Sequence, residues 1–446
     1  MDYAQAIEYL FSQLPMFQRV GASAFKKDLT NTLRLCAALN QPQERFPTLH
    51  VGGTNGKGST AHALAAILQT AGYRTGLYIS PHYVDFRERI KIDGQYISQA
   101  EVIEFTRQYR PLFDEVQPSF FEMTVAMAFD HFARHAVDVA VIEVGMGGRL
   151  DSTNVIKPRL SVITNISYDH TQFLGNTLAL IAAEKAGIIK EGVPVVIGET
   201  HSETEPVFRQ KAAEQGAAIA FADQCYAVDH FISDQNHSEC RLSPINPLSP
   251  TANLNAPNAV SLYSDLTGSY QYHNLRTIWQ AAEWLPKVGF ECVNAALVRQ
   301  ALLNVKKLTR FFGRWQTLQQ QPLVVVDSAH NPAGLNYAMQ QLQQLPHKQL
   351  HIVVGMVADK DIRQMLALLP PQAHYYFAKA DIPRGLAADS LAAQAAAYGL
   401  QGTIYISVSA AIDAATAQMN NDDVLYIGGS TFVVAEALPY FEHKDK

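Results

Sequence analysis

The residues best placed for chemistry open with Thr54-Asn55-Gly56-Lys57-Gly58-Ser59-Thr60, which follows the apolar run Thr48-Leu49-His50-Val51 and the pair Gly52-Gly53. A strand that stops at glycines and restarts as a helix turns several backbone N–H groups toward one point, an arrangement suited to phosphate. Lys57 adds a charge for the outer phosphates, and the hydroxyl of Ser59 or Thr60 suits Mg²⁺. The general phosphate-loop spacing requires glycine five positions before Gly56, but Val51 stands there. A Gly-Lys-Gly-Ser sequence is also compatible with a plain turn. The strand before it and the Ala-rich helix after it favour phosphate binding.

The elements that must position such a loop are strands of a parallel sheet, whose carboxyl ends form the ligand edge. Apolar runs at 77–79, 137–142 and 160–164 are followed by Ser80-Pro81-His82, by Glu143, and by Asp169-His170. Ser59, Ser80, Glu143 and His170 therefore converge as candidate Mg²⁺ ligands, direct or through water; imidazole is the unusual donor for this ion. Each has a plainer reading. Glu143 could pair with Arg149, His170 could cap the next helix, and His82 could be loop. Lys185, on a helical pattern ending at Gly187, would by default be a solvated surface lysine.

The chain is 446 residues long and 48 % hydrophobic, enough for two domains. Its formal charge of −6 and dispersed basic residues argue against nucleic acid as a partner. Cys36, Cys225, Cys240 and Cys292 lack metal-ligand spacing and read as reduced thiols of a cytoplasmic protein. The N-terminal residues have helical spacing without the pattern of a signal peptide, and no eighteen-residue apolar stretch suggests a membrane span. Strand and helix patterns alternate from about 45 to 200, with Gly72 and Gly187 as helix stops, and again from about 323 to the end. The expected fold class is α/β: a phosphate-loop-type, mostly parallel sheet over residues 1–308, then a smaller Rossmann-like α/β domain over 309–446. Between them, 200–265 predicts one helix (207–215) and a Pro-, Asn- and Ser-rich loop or insertion over 243–258.

Several segments together resemble the folylpolyglutamate synthase and dihydrofolate synthase family within the Mur-ligase-like group. They are Gly53 to Ser59; Ser80-Pro81-His82 with Arg87-Glu88-Arg89-Ile90; Glu143 to Asn154; Asp169-His170 with Leu174-Gly175; Glu184 to Lys190; and Asp327-Ser328-Ala329-His330-Asn331-Pro332. The resemblance implies that Thr54, Asn55, Gly56, Lys57, Gly58, Ser59 and Thr60 cradle ATP, joined by Asn274, Arg314, Asp327 and His330. It implies Mg²⁺ at Ser59, Ser80, Glu143, His170 and a carbamylated Lys185, with Lys57, His170 and Lys185 as catalytic residues. A carbamate is a carboxylate-like anion, whereas an ammonium repels Mg²⁺. The same resemblance implies a pterin site from His82, Ser119, Phe120, Phe121, Glu122, Leu150, Asp151 and Ser152. Tyr270 departs from the family, which often has histidine there.

The expected reaction joins L-glutamate to dihydropteroate or a reduced folate through an acyl phosphate, in a monomer whose second domain closes near Gly313. A Mur-type cell-wall amino-acid ligase and a phosphate-loop kinase or ATPase remain alternatives, as does a nucleotide-binding module without catalysis. Gly58, where cell-wall ligases usually carry Thr or Ser, leans toward the folate branch.

Overall fold

A computed structural model describes residues 1–12, 28–245, 259–358 and 361–442. The first sheet contains β1 (Thr48–Gly52), β2 (Thr75–Tyr78), β3 (Ile90–Ile92), β4 (Gln95–Tyr96), β5 (Val139–Glu143), β6 (Leu160–Ile163), β7 (Val195–Ile197) and β8 (Ile219–Phe221). Their spatial order is β4-β3-β2-β5-β1-β6-β7-β8, with every pairing parallel except β2–β3 and β3–β4 at one edge. β1 is buried at every position, as expected of a strand covered on both faces. β5 and β6 flank it, with Val51 opposite Glu143 and Gly52 opposite Ile163. This register brings the Glu143 side chain and the Thr164–Asn165 turn beside the start of the glycine loop.

Helix Lys57–Thr70 grows from that loop. Ala61, Ala63, Leu64, Ala65, Ala66, Ile67 and Leu68 are all fully buried, so the helix has no solvent face over this stretch. It is wedged between the sheet and the helices Gln271–Ala282 and Ala295–Leu302. Burying Leu64, Ile67 and Leu68 contributes roughly 1.5–3 kcal/mol each, which anchors the loop on a rigid base. Leu64→Ala would cost about 2–5 kcal/mol through the cavity it leaves. Gly72 follows the helix at φ +89°, where a left-handed stop favours glycine.

The 200–265 stretch differs from its expectation. Besides helix Glu205–Glu214 it forms an antiparallel sheet of β9 (Tyr226–Ser233), β10 (Ser238–Pro244) and β11 (Val260–Ser264), in the order β11-β10-β9. These strands bury one face only. Cys240, Leu242 and Leu262 enter the core, while Asp229, His230, Glu239 and Arg241 interrupt the apolar run. Ser243 and Pro244 end β10, and residues 246–258 of the expected loop lie outside the described residues.

The second sheet has β12 (Gln316–Gln319), β13 (Leu323–Asp327), β14 (Leu350–Val354), β15 (His374–Ala378), β16 (Gly402–Tyr405) and β17 (Val424–Gly428). Its order is β12-β13-β17-β14-β15-β16, parallel except for β12. Helix Val305–Thr309 packs on helix Lys57–Thr70, so it travels with the first sheet. Among the described residues no helix is long and apolar enough to cross a membrane.

Candidate active site

Two glycines give the loop its path. Gly53 has φ +139°, and a Cβ there would collide with Thr164; Gly56 has φ +83°, and a Cβ there would strike the Asn274 carboxamide. The turn after β6 then fixes the loop. Thr54 N–H donates to Asn165 O (2.9 Å), Asn55 N–H to Asn165 Oδ1 (2.9 Å), and Thr164 Oγ1 to Asn55 O (2.5 Å). From helix Gln271–Ala282, Gln271 donates to Ser59 Oγ (3.3 Å), and Asn274 donates to Gln271 Oε1 (2.8 Å). The structure thus brings Asn274 against the loop.

Lys57 Nζ donates to Gly53 O and Thr54 O, both at 3.0 Å, and Lys185 Nζ donates to the same Gly53 O at 2.9 Å. Lys185 is only 4 % exposed, which overturns the surface-lysine reading. Burial lowers both ammonium pKa values, that of Lys185 to about 7, with Lys57 lowering it further. Glu143 is buried and its carboxyl is pushed up by burial, against the lowering effect of Lys57. Its Oε2 accepts from Ser80 N–H (3.1 Å). Arg149 instead pairs with Glu184 (2.8 Å), so the Glu143–Arg149 pairing is also overturned. A pocket opens here, lined by Gly58, Ser80, Tyr83, Glu143, Arg310 and Arg314 among others.

The second sheet completes the site. Asn331 Nδ2 donates to Asn55 Oδ1 (2.9 Å), and Asn55 Nδ2 donates back to Asn331 Oδ1 (3.3 Å). Asp169 Oδ2 lies 3.4 Å from Asn331 Nδ2, 3.4 Å from His330 Nε2 and 3.8 Å from His170 Nε2. His170 is the left-handed residue before helix Thr171–Leu174 and makes no side-chain cap. Arg314 donates to Ser328 Oγ, which also meets Tyr83 OH (2.8 Å). Asp327 accepts from Trp315 N–H (2.7 Å) and from Tyr270 OH (2.8 Å). The departure at Tyr270 therefore has a physical use: the phenol reaches across to the second sheet.

The pterin-site candidates sit at the same sheet edge but with strong internal partners. Ser119 and Glu122 form a reciprocal capping box at the start of helix Phe120–Arg134, which accounts for both without any ligand. Phe120 lies under the Arg89 guanidinium (5.2 Å), and Arg89 Nε donates to His82 Nδ1 (2.7 Å). Phe121 packs near Tyr78, its ring edge filling the space beside Gly145. Asp151 caps Ser152–Val155 and accepts from Met146 N–H (2.8 Å), Thr153 N–H (3.0 Å) and Thr153 Oγ1 (2.5 Å). Leu150 and the buried Ser152 flank it.

The residues present fit a polyphosphate. The part-buried Lys57 and the buried Lys185 ammonium groups share one carbonyl, and no ion pair joins either to a carboxylate among the described residues. They also fit a hard cation, since Glu143 is a buried carboxylate at the pocket wall and the Thr60 hydroxyl is buried without a partner.

Comparison with known proteins decides the family. The Mur ligase middle domain matches residues 51–243, and the Mur ligase glutamate ligase domain matches residues 313–431. A Bacillus subtilis dihydrofolate synthase/folylpolyglutamate synthase is 34 % identical over 379 residues, covering 82 % of this chain and 84 % of that protein. The chain belongs to the folylpolyglutamate synthase/dihydrofolate synthase family of Mur ligases. A Haloferax volcanii probable bifunctional folylpolyglutamate synthase/dihydropteroate synthase is 34 % identical over 449 residues, and the chain spans 50 % of its length. The E. coli FolC structure in complex with DHPP and ADP has a TM-score of 0.82 at 28 % identity, covering 100 % of this chain and 99 % of that one.

Tyr83 joins this site without having stood out in the sequence; Ser328 and Asn331 stood there only as members of the 327–332 segment, Asp169 only beside His170, and Gln271 only as a fit to the family pattern before Asn274. Tyr83 carried no signal, because its partner Ser328 lies 245 positions away.

Proposed function

We propose that this protein is an ATP-dependent ligase that joins L-glutamate to dihydropteroate and to reduced folate glutamates. The observation that carries the reading is the shared Gly53 carbonyl. It gathers Lys57 and Lys185 at the mouth of the glycine loop, with Glu143 and the second sheet's Arg314 acting on Lys57. In this reading Thr54 to Thr60, Asn274, Arg314, Asp327 and His330 hold ATP. Residues 1–308 form the nucleotide and folate domain and 309–446 the closing domain.

A substrate carboxylate oxygen attacks the γ-phosphorus, breaking its bond to the β-γ bridging oxygen and releasing ADP. The neutral amine of glutamate then attacks the acyl carbon; phosphate leaves with the bond's electron pair and the amine sheds a proton. Lys57 and Arg314 stabilise charge on the transferring group, which is the main need in phosphoryl transfer. The Asn55–Asn331 and Tyr270–Asp327 contacts bring the second sheet over the loop and exclude water from the acyl phosphate. Mg²⁺, when bound, would neutralise phosphate charge, held by Ser59, Ser80, Glu143, His170 and a carbamylated Lys185. Support for the carbamate is the buried Lys185 amine with its pKa lowered to about 7, because the neutral amine is the form that adds CO₂. His82, Ser119 to Glu122 and Leu150 to Ser152 line the pterin side, and the protein acts as a cytoplasmic monomer.

The test is phosphate release from ATP with and without glutamate, assayed with dihydropteroate and tetrahydrofolate side by side. Release should require glutamate together with one of the two pterins. Turnover with ATP alone would indicate an ATPase, and turnover with UDP-sugar peptides a cell-wall ligase; either would overturn the folate reading.

A further inference from the structure

On the opposite edge of the first sheet from the glycine loop lies a cluster that the ligase chemistry does not use. Helix Phe120–Arg134 runs back along β5, so its last turn arrives at the strand's amino end, where Arg74 N–H also donates to Asp138 Oδ2 (2.7 Å). His131 sits on that turn and His135 follows it as the C-cap, one helical turn apart and with ring centroids 4.5 Å from each other. Glu101, in the first turn of helix Gln99–Val116, reaches both. Its Oε1 is 3.2 Å from His131 Nδ1 and 2.6 Å from His135 Nε2.

We propose that Glu101, His131 and His135 form a zinc site that clips these two helices together. The ligand atoms already lie within 4.8 Å of one another. Zinc–ligand bonds of about 2.0–2.1 Å imply edges of about 3.3 Å between ligand atoms in a tetrahedron, so the Glu101–His131 edge of 3.2 Å fits and the Glu101–His135 edge of 2.6 Å opens by about 0.7 Å. Two imidazoles and one carboxylate form a borderline donor set that suits zinc and not Mg²⁺, which demands oxygen. The fourth position is left for water. Glu101 is already oriented as a ligand. Its Oε2 is held by Ser98 N–H (3.0 Å) and Ser98 Oγ (2.6 Å), which leaves Oε1 for the metal. The carbonyl end of helix Phe120–Arg134 also favours a cation. Arg74 Nη2 stands 3.5 Å from His135 Nδ1, and it must swing outward when His135 binds through Nε2 and carries its proton on Nδ1. Arg74 is exposed enough to do so.

The experiment titrates the metal-free full chain with Zn²⁺ against a chromophoric zinc indicator, using wild type, Glu101→Gln and His135→Gln. Gln keeps the capping box at position 101, and His135 is partly exposed, so both variants retain the fold; circular dichroism checks this. The wild type should hold one stoichiometric zinc ion, and each variant should bind it weaker by at least about tenfold, the lower bound even for loss of an outer partner. Co²⁺ should give tetrahedral visible absorption in the wild type alone. Equal zinc affinity in all three chains, or no stoichiometric zinc in the wild type, would overturn the site.

Discussion

Asn55 and Asn331, 276 positions apart, exchange amide hydrogen bonds of 2.9 and 3.3 Å across the junction of the two sheets. Asn55 belongs to the glycine loop, and Asn331 caps helix Pro332–Gln344 through Gly334 N–H (2.9 Å). One side chain thus ends the loop's reach and starts the first helix of the second sheet.

Asn331→Asp separates these duties. Aspartate caps a helix as well as asparagine does, but it cannot donate to Asn55 Oδ1 and it faces Asp169 with a second negative charge. The helix cap should survive, so far-UV circular dichroism should stay close to wild type, while the melting temperature drops under the added charge against Asp169 and kcat/KM for phosphate release falls by about 10²-fold, the usual cost of misplacing reacting groups. Near-wild-type turnover would show that the amide pair does not set closure.

Lys57→Ala should lower turnover by about 10²–10³-fold, comparable to removing one donor from a developing charge. The melting temperature should hold or rise, because a part-buried ammonium that opposes Lys185 is removed. Phosphate release and calorimetry check the two halves separately. Retained activity would refute the phosphate role of the lysine.

Lys185 should carry one CO₂ adduct, visible as a carbamate carbon signal when the protein is equilibrated with ¹³C-bicarbonate. Lys185→Arg keeps a cation but cannot form the adduct at neutral pH. It should lose both the signal and most of the activity; an arginine variant with full activity would remove the carbamate from the mechanism.

Lys91 provides a pH test. It is buried, donates to Thr309 O (2.8 Å), and has its pKa lowered to about 7 by burial, partly offset by Glu88. An unfolded lysine titrates near about 10.4, so between about pH 7 and pH 10 the unfolded chain binds a proton that the folded chain has shed. Stability from this group therefore rises with pH across that window and is lost as pH falls toward 7. Urea unfolding of wild type and Lys91→Met should show the difference moving in favour of wild type from pH 7 to pH 10. A constant difference would mean that Lys91 stays protonated in the fold.

Much of the catalytic edge was legible because parallel strands carry their own punctuation. The run 48–51, Glu143 after 137–142, and Asp169-His170 after 160–164 mark strand ends that the register of β1, β5 and β6 places side by side. The Tyr226–Ser264 sheet was not legible, because strands buried on one face mix Asp, His, Glu and Arg into their apolar pattern. The family resemblance implies that Ser119 and Glu122 line the pterin site, yet their spacing is also that of a helix cap, and the structure uses them so.

By itself the sequence determined the loop, the strand ends and the family, since glycine placement and apolar periodicity are local and survive without knowledge of the partners. Only the tertiary structure decided that Lys185 is buried on Gly53, that Arg149 belongs to Glu184, and that Tyr270 reaches Asp327. It alone brought Glu101 to the two histidines. The reason is physical: burial and side-chain pairing depend on which helix lands beside which strand. That is set by packing between segments tens to hundreds of residues apart, and no local pattern records it.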